Sequence, residues 1–299
     1  MGKSWNTPKF DIYDPSLVFY APLWRPDMVA RGGSIVNGTG TMDVNPQALA
    51  VGANTITVTG LGTFKVRIPE GGTVASGTTT VSGSPVTVSA GVPATITTTG
   101  STGNITVTSS NIIRSKDRNN PALTVTGALW TPQGHSFDGI DDFIDCGTSS
   151  SLELTTFSLL LWVYLNSVAG NNPLVSKAVD VSNRNYQLWA LGANPYIEIT
   201  EGGALVTKTF ANLTIPATAW VHIAFTFKSP TWTAYVSAIP ETQTQALVPD
   251  QASGSSLYLG RSFGNERIAG KIGEALVESR AFSQSEVQNN MLTTKWKHR

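Results

Sequence analysis

The sequence predicts an all-β protein with more than one folded unit. Apolar and polar residues alternate with a period of two in stretch after stretch, helical periodicity is nearly absent, and Gly, Pro, Asn and Ser turn signals recur about every 8–12 residues. The alternation is read in TITVTG (55–60), FKVRI (64–68), PVTVSA (85–90), NITVTS (104–109) and FSLLLWVYL (157–165). Such strands suit a sandwich, because β-branched side chains fit a pleated, half-buried surface. Only SQSEVQNNM (283–291) reads as a helix: Ser283 stands at the cap and Glu286 three residues on, the spacing of a capping box.

At 299 residues the chain is long enough for two units. Lys plus Arg (20) equals Asp plus Glu (20), charged residues make up 13%, and no basic stripe is present, so a nucleic-acid partner held by backbone electrostatics is excluded. The single cysteine, Cys146, excludes an intramolecular disulfide and reads as a small apolar residue on a strand. No apolar run approaches the roughly 20 residues that cross a bilayer, so no membrane partner is expected.

In chain order, residues 1–16 read as a polar N-terminal arm, with Trp5 and Phe10 as apolar anchors able to lie along a neighbouring subunit. This start lacks the apolar core of a secretory signal and carries Asn6 where myristoylation would want Ser or Thr, so synthesis in a cytoplasm is expected. LVFYAPLW (17–24) reads as a strand. Composition then shifts near residue 34 and again near 113. Between these points the chain is rich in Thr, Gly, Val and Ser, has no Trp, Tyr or His, and has one aromatic residue, Phe64. Its alternating apolar residues favour a folded β module, and Thr-rich edge strands would suit pairing with neighbouring chains.

SFDGIDDFIDCG (136–147) packs four aspartates into eight residues. Three readings stand open. Asp138-Gly139 forms a tight turn fixed by side-chain to backbone hydrogen bonds; Asp138, Asp141 and Asp142 hold calcium, a cation that prefers oxygen ligands; or two of the carboxylates form a catalytic pair. Elsewhere, IEITE (197–201) puts Glu198 and Glu201 three apart, on opposite faces of a strand, so no paired-carboxylate mechanism is supported and no catalytic residue is assigned. His222 reads as structural within WVHIAF, and His298 as part of a frayed tail, KWKHR. Most tryptophans read as core.

From residue 114 onward the chain resembles the laminin-G-like, concanavalin A-like jelly-roll domains. SFDGIDDFIDCGTSSSLELTTFSLLLWVYL is similar to that family's FDGxDDYV strand-turn-strand. WVHIAFTFKSPTWTAYV (220–236), LYLGRSFGNERIAGKIGEALVESRAFSQSEV (257–287) and KDRNNPALTVTGALW (116–130) match further motifs in the expected order. The resemblance implies a LamG-like sandwich built from 17–33 plus 114–299, with residues 34–113 inserted as a second small β-sandwich domain in an early loop, where added length costs little entropy. It also implies calcium as an alternative to no cofactor, although the family's IDEV stands here as Ile272-Gly273-Glu274-Ala275. Trp189, Tyr196 and Phe263, near expected loops, are the candidate sugar-stacking platforms.

The function expected from these readings is non-enzymatic: a virion structural protein, a capsid decoration or fibre protein of a tailed phage. Its partners would be other virion subunits and host-surface glycans, and it would form a homo-oligomer in that assembly. The alternative is a secreted or cell-surface carbohydrate-binding or adhesion module, and after it a glycoside hydrolase.

Overall fold

Cα proximity divides the chain into Met1–Val29 with Ile113–Arg299, and Ala30–Ile112. The computed structural model describes residues 14–28, 113–119, 121–252 and 254–298 in full, and between 35 and 112 the backbone of the strands. Trp5 and Phe10 lie outside the described residues.

After β1 (Leu17–Ala21), the second unit holds β2 (Ile35–Asn37), β3 (Gly40–Met42), β4 (Gln47–Ala48), β5 (Gly52–Val58), β6 (Thr63–Arg67), β7 (Gly72–Ser76), β8 (Thr79–Ser82), β9 (Val86–Ser89), β10 (Ala94–Thr98) and β11 (Asn104–Thr108). These form one sheet in the order β3-β2-β5-β10-β7-β8 and another in the order β4-β11-β6-β9.

The larger unit continues with β12 (Ile112–Arg114), β13 (Ala122–Thr126), β14 (Leu129–Thr131), β15 (Gly134–Asp138), β16 (Phe143–Asp145), β17 (Thr156–Leu165), β18 (Asn171–Asp180) and β19 (Asn183–Leu191). It is completed by β20 (Asn194–Glu201), β21 (Ala204–Thr209), β22 (Trp220–Lys228), β23 (Thr231–Val236), β24 (Ile239–Thr244), β25 (Leu257–Leu259), β26 (Ala269–Glu278) and the helix α1 (Gln284–Thr294). Two antiparallel sheets result. The first runs β14-β15-β26-β17-β22-β23-β24, with β1 also paired to β26; the second runs β12-β13-β16-β25-β18-β19-β20-β21.

The two sheets meet through aromatic side chains. Phe157 of β17 packs on Tyr186 of β19 at 4.9 Å between ring centroids and on Phe227 at 5.6 Å, and Trp232 stands edge-on to Phe227 at 4.9 Å. Rings of this size dominate a sandwich core, and their tilted geometries suit the ring quadrupoles.

The sequence reading of β17 as an alternating strand needs correction. Phe157 to Val163 are all buried, because a second layer covers the outer face of the first sheet. Leu160 packs with Tyr20, Leu276 and Val287, and Phe282 and Met291 lie against this cluster. Trp162 donates through Nε1 to Thr294 Oγ1 at 2.7 Å. The covering helix starts as its sequence predicts: Ser283 Oγ accepts from Glu286 N, and the Glu286 carboxylate accepts from Ser283 N at 2.8 Å. It runs on to Thr294, past the expected end, because its inner residues Val287, Asn290 and Thr294 are buried against the sheet.

The C-terminal segment is likewise not frayed. His298 is 5% exposed, with its ring 4.9 Å from Trp162 and 4.8 Å from Trp220. This explains Gly273, which stands where the family's motif has an acidic residue. A side chain there would strike His298 and come within 2.6 Å of the Gln133 carbonyl oxygen. The neighbouring Glu274 is buried and accepts from Trp24 Nε1 and Lys297 Nζ, both at 3.3 Å. Burial raises its pKa, and the Lys297 charge opposes the rise.

Burial holds the histidines of this layer neutral. The pKa of His222, whose Nε2 meets Asn290 Oδ1 at 3.1 Å, falls to about 4, and that of His298 to about 3. A depressed histidine contributes stability that is complete above its unfolded pKa, near 6.5, and is lost as pH falls toward the folded value. Asp142 and Glu278, raised by burial to about 6 and about 7, act in the opposite sense: the adverse contribution of their charged forms is relieved as pH falls through those values. Comparison with His222→Gln isolates the histidine. Denaturant titrations at pH 7.5 and 5 should show the wild type losing on the order of 2 kcal/mol more than the variant. Equal losses would mean that His222 is not buried neutral.

Candidate functional site

The aspartate-rich stretch forms the link between β15 and β16. Gly139 takes φ +85°, which an L side chain rarely adopts, and Asp138 Oδ1 accepts from Ile140 N at 2.8 Å. Asp142 Oδ2 accepts from Asp138 N at 2.8 Å, and Asp145 Oδ1 from Gly147 N at 2.8 Å. Gly127, at φ +68°, leaves room for Asp142 Oδ1, which a side chain there would strike. Asp138, Asp141 and Asp142 do offer oxygens within 4.8 Å of one another. Asp138 Oδ1 and Asp142 Oδ2 already serve the turn, and burial together with Asp138 and Asp141 pushes the Asp142 carboxyl up to about 6.

A different arrangement crosses the second sheet. Residues directly opposite in register share a face, and one row runs Thr124–Asp145–Tyr258–Ser176–Gln187–Glu198–Thr207. It faces away from the first sheet, since its neighbours along the strands, Ile144, Leu257, Leu259, Val175, Leu188 and Ile197, are buried in the core. Every residue of the row is polar. At its centre Ser176 and Gln187 are 0% exposed, yet Ser176 Oγ and both amide atoms of Gln187 have no hydrogen-bond partner among the described residues. The indole Nε1 of Trp189, two residues along, is in the same state. Each buried polar group left unpaired costs about 1–3 kcal/mol, and such groups call for a water or a ligand.

The three aromatic residues singled out from the sequence converge here. Trp189 was expected near a loop but lies inside β19, 6% exposed, directly opposite half-buried Tyr196. Tyr196 Oη donates to Glu198 Oε1 at 3.3 Å, and Glu198 Oε2 accepts a very short bond from Arg184 Nη1. The Arg184 guanidinium lies 4.6 Å over the ring of half-buried Phe263. Tyr196 and Phe263 thus keep partly open ring faces, whereas Trp189 forms part of the floor. Glu201, the other acidic residue of IEITE, is exposed and accepts from Val248 N at 2.7 Å.

Ser176, Gln187, Arg184 and Tyr258 were not singled out from the sequence. NYQLWAL (185–191) carried a signal: Gln187 alternates with the core residues Tyr186 and Leu188, which places an amide on the other face.

Two solved structures are similar to part of this chain. A sialidase of Trypanosoma rangeli superposes with TM-score 0.48 and 15% identity, covering 62% of this chain and 31% of its own. The binding domain of botulinum neurotoxin serotype G gives TM-score 0.49 and 10% identity, with 61% and 48% covered. The chain thus spans less than half the length of either structure. Among curated proteins no sequence match is found. Residues 138–288, just over half of the chain, match the laminin-G-type model described as concanavalin A-like lectin/glucanases. With two antiparallel sheets stacked through Phe157 and Tyr186 and this match spanning strands of both, the chain belongs to the concanavalin A-like lectin/glucanases superfamily.

Proposed function

We propose that this chain is a non-enzymatic, lectin-like binding module that takes a glycan on the outer face of the second sheet, within a virion surface protein. The observation that carries the glycan reading is the central trio of Ser176, Gln187 and Trp189, whose polar atoms are buried without partners beside the rings of Tyr196, Tyr258 and Phe263. A sugar presents hydroxyls to such donors and acceptors and apolar C–H faces to such rings.

Spacing argues against catalysis. The carboxylates of the row are Asp145 on β16 and Glu198 on β20, four strand spacings or about 19 Å apart, whereas glycosidase pairs stand about 5–9.5 Å apart. Glu198 is also tied to Arg184. Replacing Gln187 by Met removes the unpaired amide while keeping volume, so glycan affinity should fall at least tenfold while the melting temperature holds or rises. An amide serving only the fold would give the reverse, and a glycan array blank for the wild type would remove the reading.

On this reading binding requires no metal, because the Asp138–Asp142 turn is closed by its own backbone donors. Chelation with EDTA should leave both melting temperature and glycan affinity unchanged. A rise of several degrees on adding calcium, absent in Asp142→Asn, would establish the calcium site instead.

The finer assignment is a capsid decoration or fibre protein of a tailed phage, a homo-oligomer among other virion subunits. The Thr-rich second unit supports it: its sheets end on β3, β8, β4 and β9, short edges suited to pairing with neighbouring chains. Antibody to this chain should label purified particles in electron micrographs. Label confined to cell surfaces would favour the adhesion-module alternative.

A further inference from the structure

The chain leaves β25 at Gly260, with φ of +77°, where a side chain's Cβ would come within 2.8 Å of Ile268 and Phe137. It then makes a short hairpin. Arg261 and Arg267 pair as a β-bridge, Ser262 N donates to Glu266 O at 3.1 Å, and Asn265 turns the tip at φ +69°. The hairpin folds over the glycan face, since Phe263 reaches Arg184 on β19 and Arg261 lies 4.8 Å from the ring centroids of both Phe143 and Tyr258.

Arg267 lies 5.2 Å from that same Phe143 ring, so one aromatic side chain carries two like charges. Proximity to Arg261, after burial, lowers the Arg267 pKa, and Asp141 and Glu266 only partly offset it. Arg261 Nη2 donates to Asn265 Oδ1 at 2.6 Å and Arg267 Nη1 to the Glu266 carbonyl at 3.2 Å, neither a charged acceptor. The Nε atoms of both are buried without a hydrogen-bond partner, and neither guanidinium forms an ion pair among the described residues. Two guanidiniums with spare donors, fixed by stacking and without an ion pair, match the geometry of a planar or tetrahedral oxyanion.

We infer that Arg261 and Arg267 form an oxyanion subsite beside Tyr258 of the polar row, so that the saccharide bound there carries a carboxylate or a sulfate ester. This inference deepens the glycan reading and rests on it. An anion between the two arginines relieves their mutual repulsion, while Tyr258, Ser176 and Gln187 continue the row toward the remaining sugar hydroxyls.

Calorimetry separates the possibilities with three probes: an oligosaccharide of uronic acids, the same oligosaccharide with its carboxyls reduced to alcohols, and inorganic sulfate against chloride at equal ionic strength. Each is tested on the wild type, Arg261→Gln and Arg267→Gln, with melting curves confirming that the variants fold. The acidic oligosaccharide should bind at least tenfold more tightly than the reduced one. Either variant should bring it down to the neutral affinity while leaving the neutral affinity unchanged. Equal binding of both forms, unaffected by the variants, overturns the oxyanion subsite and leaves the glycan reading standing. Binding of neither saccharide, with sulfate raising the melting temperature of the wild type but not of Arg267→Gln, keeps the oxyanion subsite and removes the glycan reading. No response to any probe overturns both.

Discussion

The burial of β17 on both faces decides where this protein can act. Its inward side chains, led by Phe157, hold the second sheet through Tyr186, and its outward Leu160 and Trp162 are covered by α1 and the C-terminal turn. The central strands of the second sheet, β18 and β19, are buried on both faces too, but their outward side chains are polar and some lack partners. Deeply buried rings contribute roughly 25 cal/mol for each Å² taken out of water, enough in sum for the fold to tolerate several unpaired polar atoms elsewhere.

Some of those unpaired atoms gather on the second sheet. Ser176, Gln187 and Trp189 sit on adjacent strands of one face, and the loop carrying Phe263 spans from β25 across β18 to reach Arg184 on β19. An apolar substitution at Gln187 would serve stability better, so the amide departs locally from the packing logic of a sandwich. In the covered first sheet Glu274 is answered by Lys297 and Trp24 and one ring nitrogen of His222 by Asn290, whereas the other nitrogen of His222 and both of His135 and His298 stay unpaired.

What was legible in the sequence was local. Ser283 and Glu286 lie within one helical turn, and Asp138-Gly139 within one tight turn, so their chemistry could be read directly. What was not legible depends on partners far along the chain. FSLLLWVYL could not show that residues more than 120 positions later would cover its outer face, nor KWKHR that its histidine would lodge between Trp162 and Trp220. Gly273 looked like a missing carboxylate until the His298 ring was found in the space. The polar outer face of the second sheet was half legible. Trp189, Tyr196 and Phe263 were visible as aromatic residues, but their meeting, and the Ser176–Gln187 pair between them and Tyr258, follow from strand register, which a single sequence does not fix.

The equal numbers of acidic and basic residues conceal a local arrangement at the β16–β25 corner. The acidic turn stands on one side, with Asp141 near enough to Arg267 to act on its charge, and the stacked arginines stand on the other. A cation at the turn and a guanidinium beside it compete for the same carboxylate field. Arg267 supplies positive charge near Asp141, and backbone donors occupy one oxygen each of Asp138 and Asp142. The arginines are not satisfied in the same way: Asp141 and Glu266 act on the Arg267 charge, yet neither guanidinium forms an ion pair among the described residues.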